Sequence, residues 1–129
     1  MATSTALGVA LVAALAFSGC YSTGSSIGTL TVRWTVAGTF DPNACAAHGA
    51  ATIHVNVFDR SGGFVGEYAQ SCTAFATEIY LFPGQYSAQA LLADSAGAAR
   101  STTINIVPFT IRFDSDLVID VDFPQASFL

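Results

Sequence analysis

Cys45, His48 and His54 fall at a C-x2-H-x5-H spacing, and Cys72 lies further along the chain. Zinc takes thiolate and imidazole ligands, and a two-residue gap is common in one half of a zinc site. The second half is missing, because His54 and Cys72 form no close pair. Asp116, Asp120 and Asp122 recur at even positions near the C-terminus, with Val118 among them and Asp114 just before. On a strand such carboxylates share one side at about 7 Å spacing, a geometry that calcium can bridge with loop oxygens. The competing reading is a solvated outer face whose charges discourage edge-to-edge aggregation. The Gly and closing Glu of an EF-hand loop are missing. Glu67 and Glu78 are a carboxylate pair of the type glycosidases use, yet no spacing brings them together.

Other chemistries lack their residues. The chain has no G-x-S-x-G, no H-E-x-x-H and no phosphate-cradling glycine loop. These absences point to a protein without enzymatic activity and without a cofactor. Its cations are Arg33, Arg60, Arg100 and Arg112, scattered singly, against a net charge of −5. A nucleic-acid partner needs a basic patch that four scattered arginines do not make.

The N-terminus carries a different message. Ala6 to Phe17 is an uninterrupted run of Ala, Leu, Val, Gly and Phe. As a helix it would span about 18 Å, against a hydrocarbon core of about 30 Å. It therefore reads as the apolar region of a helical signal peptide. The run ends in Phe17-Ser18-Gly19-Cys20, which resembles the lipobox of bacterial lipoproteins. That resemblance implies cleavage before Cys20 and lipid on its thiol. Two features depart from the pattern: Phe17 stands where Leu is more usual, and Met1 to Ser4 hold no Lys or Arg. The alternative is ordinary secretion with cleavage near Gly19 and a free Cys20. Two acyl chains suffice for stable anchoring. The expected organisation is a signal peptide over 1–19, a lipid-anchored tether over 20–27 and one β-sandwich over 28–129. The expected location is a cell envelope, at the outer membrane if the source has two membranes, with the membrane as one partner and another envelope protein or a polymer as a second.

Assigning Cys20 to lipid leaves Cys45 and Cys72 as an even pair. Outside the cytoplasm such a pair tends to form a disulfide. Closing a loop of about 28 residues is worth roughly 3.5 kcal/mol in the chain-entropy model. Zinc on Cys45, His48, His54 and Cys72 is the competing assignment, and it would make the protein a metal or small-molecule carrier.

The elements that must position these residues read almost wholly as strands. Leu30 to Val36 alternates strictly, with Trp34 directed to the core. Phe40 to Ala50 reads as a loop with one helical turn at Ala44–His48, ended by Gly49. Thr52 to Phe58 is a second strand with Ile53, Val55 and Val57 inward. Asp59 to Gly63 is a hairpin loop, and Phe64 to Ser71 a weaker third strand. Phe75 to Phe82 is the fourth and Gln85 to Leu92 the fifth, joined by a Pro83-Gly84 turn. The sixth is expected from about Ala99 to Ile106, interrupted by Pro108, which suggests an edge or a bend, with a short extra piece at Thr110–Phe113. Leu117 to Phe123 closes the domain, and Pro124 to Leu129 reads as a loose tail. About seven short strands with turns between them point to an all-β, antiparallel sandwich of prealbumin or immunoglobulin type. Tyr80, Phe82 and Phe58 fall on outward positions, where they form either an apolar partner patch or a second small core under a loop.

Thr52 to Asp59, Gly62-Gly63 and Ile79 to Tyr86 together resemble the carboxypeptidase-regulatory-like and collagen-adhesin-B-type modules, which share a prealbumin-like sandwich. The shared features are a strand ending in Asp with a following Gly, then a Leu-x-Pro-Gly-x-Tyr corner. The resemblance covers about a third of the chain and implies a structural or binding module. Some such modules carry Lys–Asn isopeptide bonds; this chain has no Lys, so that chemistry is excluded.

Overall fold

The computed structural model describes residues 26–129. The segment expected to be a signal peptide and Cys20 lie outside them. Seven strands form two sheets: β1 (Gly28–Val36), β2 (Thr52–Asp59), β3 (Phe64–Ser71), β4 (Ala76–Leu81), β5 (Gly84–Ala93), β6 (Ile104–Ile111) and β7 (Asp116–Phe123). One sheet has the order β4-β1-β7 and the other β3-β2-β5-β6. The β-sandwich is thus as the alternation predicts. Every strand pairing is antiparallel except β1 with β7, which run the same way.

Alternation places the core. In β1, Leu30, Val32, Trp34 and Val36 are buried, while Thr31, Arg33 and Thr35 turn outward. In β2, Ile53, Val55 and Val57 meet them from the other sheet. Ala88, Ala90 and Leu92 of β5 and Val121 and Phe123 of β7 complete the layer. Fully burying side chains of this size contributes roughly 1.5–3 kcal/mol each. Trp34 is the largest of them, and its indole Nε1 donates to the Cys72 carbonyl at 2.9 Å, so its one polar atom is satisfied inside the core.

Between β1 and β2 the chain makes a helix, α1 (Pro42–Ala47), longer than the single turn expected. Asp41 caps it by accepting from the Asn43 N–H at 2.9 Å, and Pro42 at the first position has the required φ. Gly49 ends it with φ +68°, a conformation that strains any residue with a Cβ, and a Cβ there would also have to displace the Arg100 guanidinium. At the other end of the sandwich a Cβ on Gly28 would strike the Arg112 carbonyl and the Ile111 side chain. The start of β1 can therefore lie against the end of β6.

Two expectations near the C-terminus need correction, and they share one cause. The sixth strand begins at Ile104, not near Ala99, and the tail is held, not loose. Arg100 N–H still donates to the Leu92 carbonyl of β5 at 2.8 Å, but from there the chain pairs with the tail. Thr102 N–H donates to the Ser127 carbonyl at 2.7 Å, Leu129 N–H donates to the Arg100 carbonyl at 3.2 Å, and Ser101 bridges Phe128. The buried Ser101 hydroxyl accepts from the Leu92 N–H at 3.0 Å, standing in for the missing strand neighbour. Such side-chain substitution for a ladder bond leaves no alternating pattern in the sequence. The edge or bend expected at Pro108 is found, but the strand runs on through it to Ile111, so the separate piece expected at Thr110–Phe113 is the end of β6. β6 is an edge, and the register shift between Tyr86 and Ala88 sets Val107 and Pro108 against Ser87 alone. An edge bulge tolerates a missing N–H.

Candidate functional site

Cys45 and Cys72 form a disulfide, with Cα atoms 6.1 Å apart. Antiparallel β2 and β3, paired from Thr52 with Ser71, bring the preceding helix and the following 3-10 turn (Cys72–Ala74) to one end. Both sulfur-bearing residues are buried. This corrects the zinc alternative: neither sulfur is available as a thiolate. His48 instead stacks on Phe128, with ring centroids 3.7 Å apart and planes 8° off parallel. His54 Nε2 meets the Thr52 hydroxyl at 3.2 Å, and its Nδ1 lies 3.7 Å from a Glu67 oxygen on the adjacent strand. Among the described residues no three His, Cys, Asp or Glu side chains are grouped to hold a metal ion.

The acidic row on β7 is engaged by β1. In the parallel register Arg33 lies opposite Asp120 and Thr35 opposite Asp122. Arg33 donates through Nε to Asp120 Oδ1 at 2.7 Å and through Nη2 to Oδ2 at 2.9 Å. Thr35 Oγ1 and Gly38 N–H donate to Asp122 at 2.6 and 3.0 Å, and Thr31 Oγ1 donates to Asp116 at 3.1 Å. The row therefore does not converge on a cation site. The hydrogen bond from Arg33 holds the Asp120 carboxyl below its ordinary value near 3.8, and the same bond raises Arg33. Part of this pairing was legible in the sequence: outward Arg33 and Thr35 match outward Asp120 and Asp122 in period and chemistry, whereas Thr31 lies opposite Val118 and reaches diagonally to Asp116.

Glu67 and Glu78 do not meet. Glu67 is an exposed residue of the four-stranded sheet and Glu78 of the three-stranded one. The expected patch of Phe58, Tyr80 and Phe82 does not assemble either. Phe58 packs edge-on against Phe64 across the hairpin, centroids 5.9 Å apart, while Tyr80 and Phe82 are exposed beside the other sheet. Adjacent in phase, the three residues were on different sheets, which no local pattern reveals.

Two grooves remain. One lies where the β2–β3 hairpin approaches the Pro83-Gly84 corner, lined by Asp59, Arg60, Gln85 and Tyr86. It is shallow, and two of its polar groups, Asp59 and Tyr86, are already bonded. Asp59 Oδ1 accepts from the Ser61 hydroxyl and the Ser61 and Gly63 N–H groups at 2.7–2.9 Å, and these bonds lower its carboxyl, the Ser61 hydroxyl most. Tyr86 Oη donates to the Phe82 carbonyl at 2.7 Å, which closes the Leu-x-Pro-Gly-x-Tyr corner; partial burial raises its phenol. The second groove, of about 370 Å³, runs between β6 and β7 and is floored by apolar side chains. It exists because the three-stranded sheet stops at β7. Leu117 and Ile119 face inward there yet remain half-buried.

No family model and no curated protein matches the chain. Among solved structures, a leucine-rich repeat protein from Bacteroides thetaiotaomicron superposes with a TM-score of 0.53 at 13% identity, over 78% of this chain and 12% of that one. A second protein from the same organism, whose name proposes polysaccharide binding, gives a TM-score of 0.42 at 15% identity, over 72% of this chain and 46% of that one. The chain thus spans a small part of the first and under half of the second. At such identity the first likeness is one of fold.

Proposed function

We propose that the protein is a non-enzymatic binding module of a cell envelope, held to the membrane by lipid on Cys20. One observation carries this reading. The chain has three cysteines, and the buried Cys45–Cys72 bond uses two of them. That leaves Cys20, directly after Phe17-Ser18-Gly19 and the apolar run, as the remaining thiol. A disulfide of this kind fits an oxidising compartment, and a tether over 20–27 keeps the domain near its membrane. The folded domain then offers its surface to another envelope protein or polymer. In a bacterial host, wild type should partition into the detergent phase and Cys20→Ala into the aqueous phase. Aqueous partitioning of both would overturn the anchor.

A further inference from the structure

Among the described residues the sandwich has four strand edges, and three are blunted. β4 is only six residues long. β6 carries the Pro108 bulge, and β3 is opposite a register shift at Val57/Phe58. β7 is different. It pairs with β1 without a break over eight residues, holds no Gly or Pro, and forms one wall of the apolar groove.

The direction of its free backbone groups follows from two bonds. Thr29 N–H donates to the Ser115 carbonyl and Ala37 N–H to the Phe123 carbonyl. In an extended strand the N–H and C=O of one residue point the same way and alternate along the chain. Odd residues of β7 therefore bond β1, and the N–H and C=O groups of Asp116, Val118, Asp120 and Asp122 face the open edge. Charged side chains ordinarily guard such an edge. Here the carboxylates are drawn toward β1 by Thr31, Arg33, Thr35 and the Gly38 N–H. Val118, 47% exposed, stands among them with no charge.

We infer that β7 is a strand-addition site for an extended protein segment that alternates cationic and apolar residues. Resting on the reading of the domain as a binding module, this names the partner's chemistry. An added strand would complete a fourth position in the smaller sheet. Its inward side chains would cover Leu117 and Ile119 and contact Ile106 and Phe109 on the groove floor. Its outward side chains would flank Asp116 and Asp122, whose bonds are to hydroxyls and an N–H group, not to a cation. Main-chain bonds give affinity in such modes and alternate side chains give selectivity. A second copy fits poorly, because β7 against β7 sets one acidic row beside another.

The test uses the full chain, isotope-labelled in detergent micelles, with an acetylated, amidated synthetic peptide of alternating Lys and Val; a Glu–Val peptide is the comparison. The Lys–Val peptide should slow hydrogen exchange on the order of tenfold or more at the amides of Asp116, Val118, Asp120 and Asp122, leaving Leu117 and Ile119, already bonded to β1, unchanged. Val118→Pro removes only an outward donor, so it should keep the fold and lose the protection. Val118→Lys should weaken the Lys–Val peptide and not the Glu–Val one. Equal protection by both peptides, protection elsewhere, no protection, or unaltered binding by Val118→Pro would overturn the site. So would concentration-dependent protection of these amides without peptide, which would give the edge to a second copy. None of these outcomes bears on Cys20, whose lipid is read separately by detergent partitioning.

Discussion

The Arg33 guanidinium and the Asp120 carboxylate, 87 residues apart in the chain, meet side-on by two hydrogen bonds of 2.7 and 2.9 Å across strands that run parallel. They tie the first strand of the domain to the last. Both side chains are more than half exposed, at 52% and 68%, so the pair selects the register more than it stabilises the fold. Arg33→Ala should leave the melting temperature at neutral pH almost unchanged. Its measurable effect should be on Asp120, whose carboxyl should titrate nearer its ordinary value when followed by NMR.

Asp59 and Asp120 both have carboxyls lowered in the folded state by hydrogen bonds. A lowered carboxyl stabilises the fold fully above its unfolded value, and that contribution is lost as pH falls through the folded one. Stability should therefore be flat from neutral pH down to about pH 5 and decline below about pH 4. Urea midpoints across this range check the sign. A midpoint that rises on acidification below pH 4 would contradict it.

The disulfide closes a separation of 27 residues. Its loss should cost about 3 kcal/mol, or a fall of more than roughly 10 °C in melting temperature. Reduction and the Cys45→Ser/Cys72→Ser double variant should agree. The only Trp, Trp34, donates to the Cys72 carbonyl, so its emission is a local reporter of the same change. Two alkylatable thiols among Cys45 and Cys72 in the unreduced protein would contradict the bond.

Much of this was legible because the sequence alternates. Trp34, Ile53, Val55, Val57, Ile79 and Phe123 announce their burial by period two, and Pro83-Gly84 and Gly62-Gly63 announce the turns. What was not legible is non-local. Phe58 and Tyr80 share a phase but not a sheet. Ser101 replaces a strand neighbour with a hydroxyl, and the pairing of residues 100–102 with the tail has no periodic signature. Phe75, expected to begin the fourth strand, precedes it instead, at φ +59°; there its ring packs against Phe40 at 5.8 Å between centroids.

The tail supplies its own prediction. Phe128 is half-buried on His48 and beside the core. Phe128→Ala should destabilise by about 1–2 kcal/mol from lost burial, while His48→Ala should do less because the imidazole keeps a polar, half-open place. Paired urea titrations measure both. Equal stability of wild type and Phe128→Ala would mean that the tail is not docked.

Lipid on Cys20 can be read from the mass of the N-terminal peptide of the protein extracted from its own membrane. That peptide should begin at Cys20 and carry the added mass of a diacylglycerol on sulfur. A peptide that retains residues before Cys20, or one that begins there with an unmodified thiol, would contradict it.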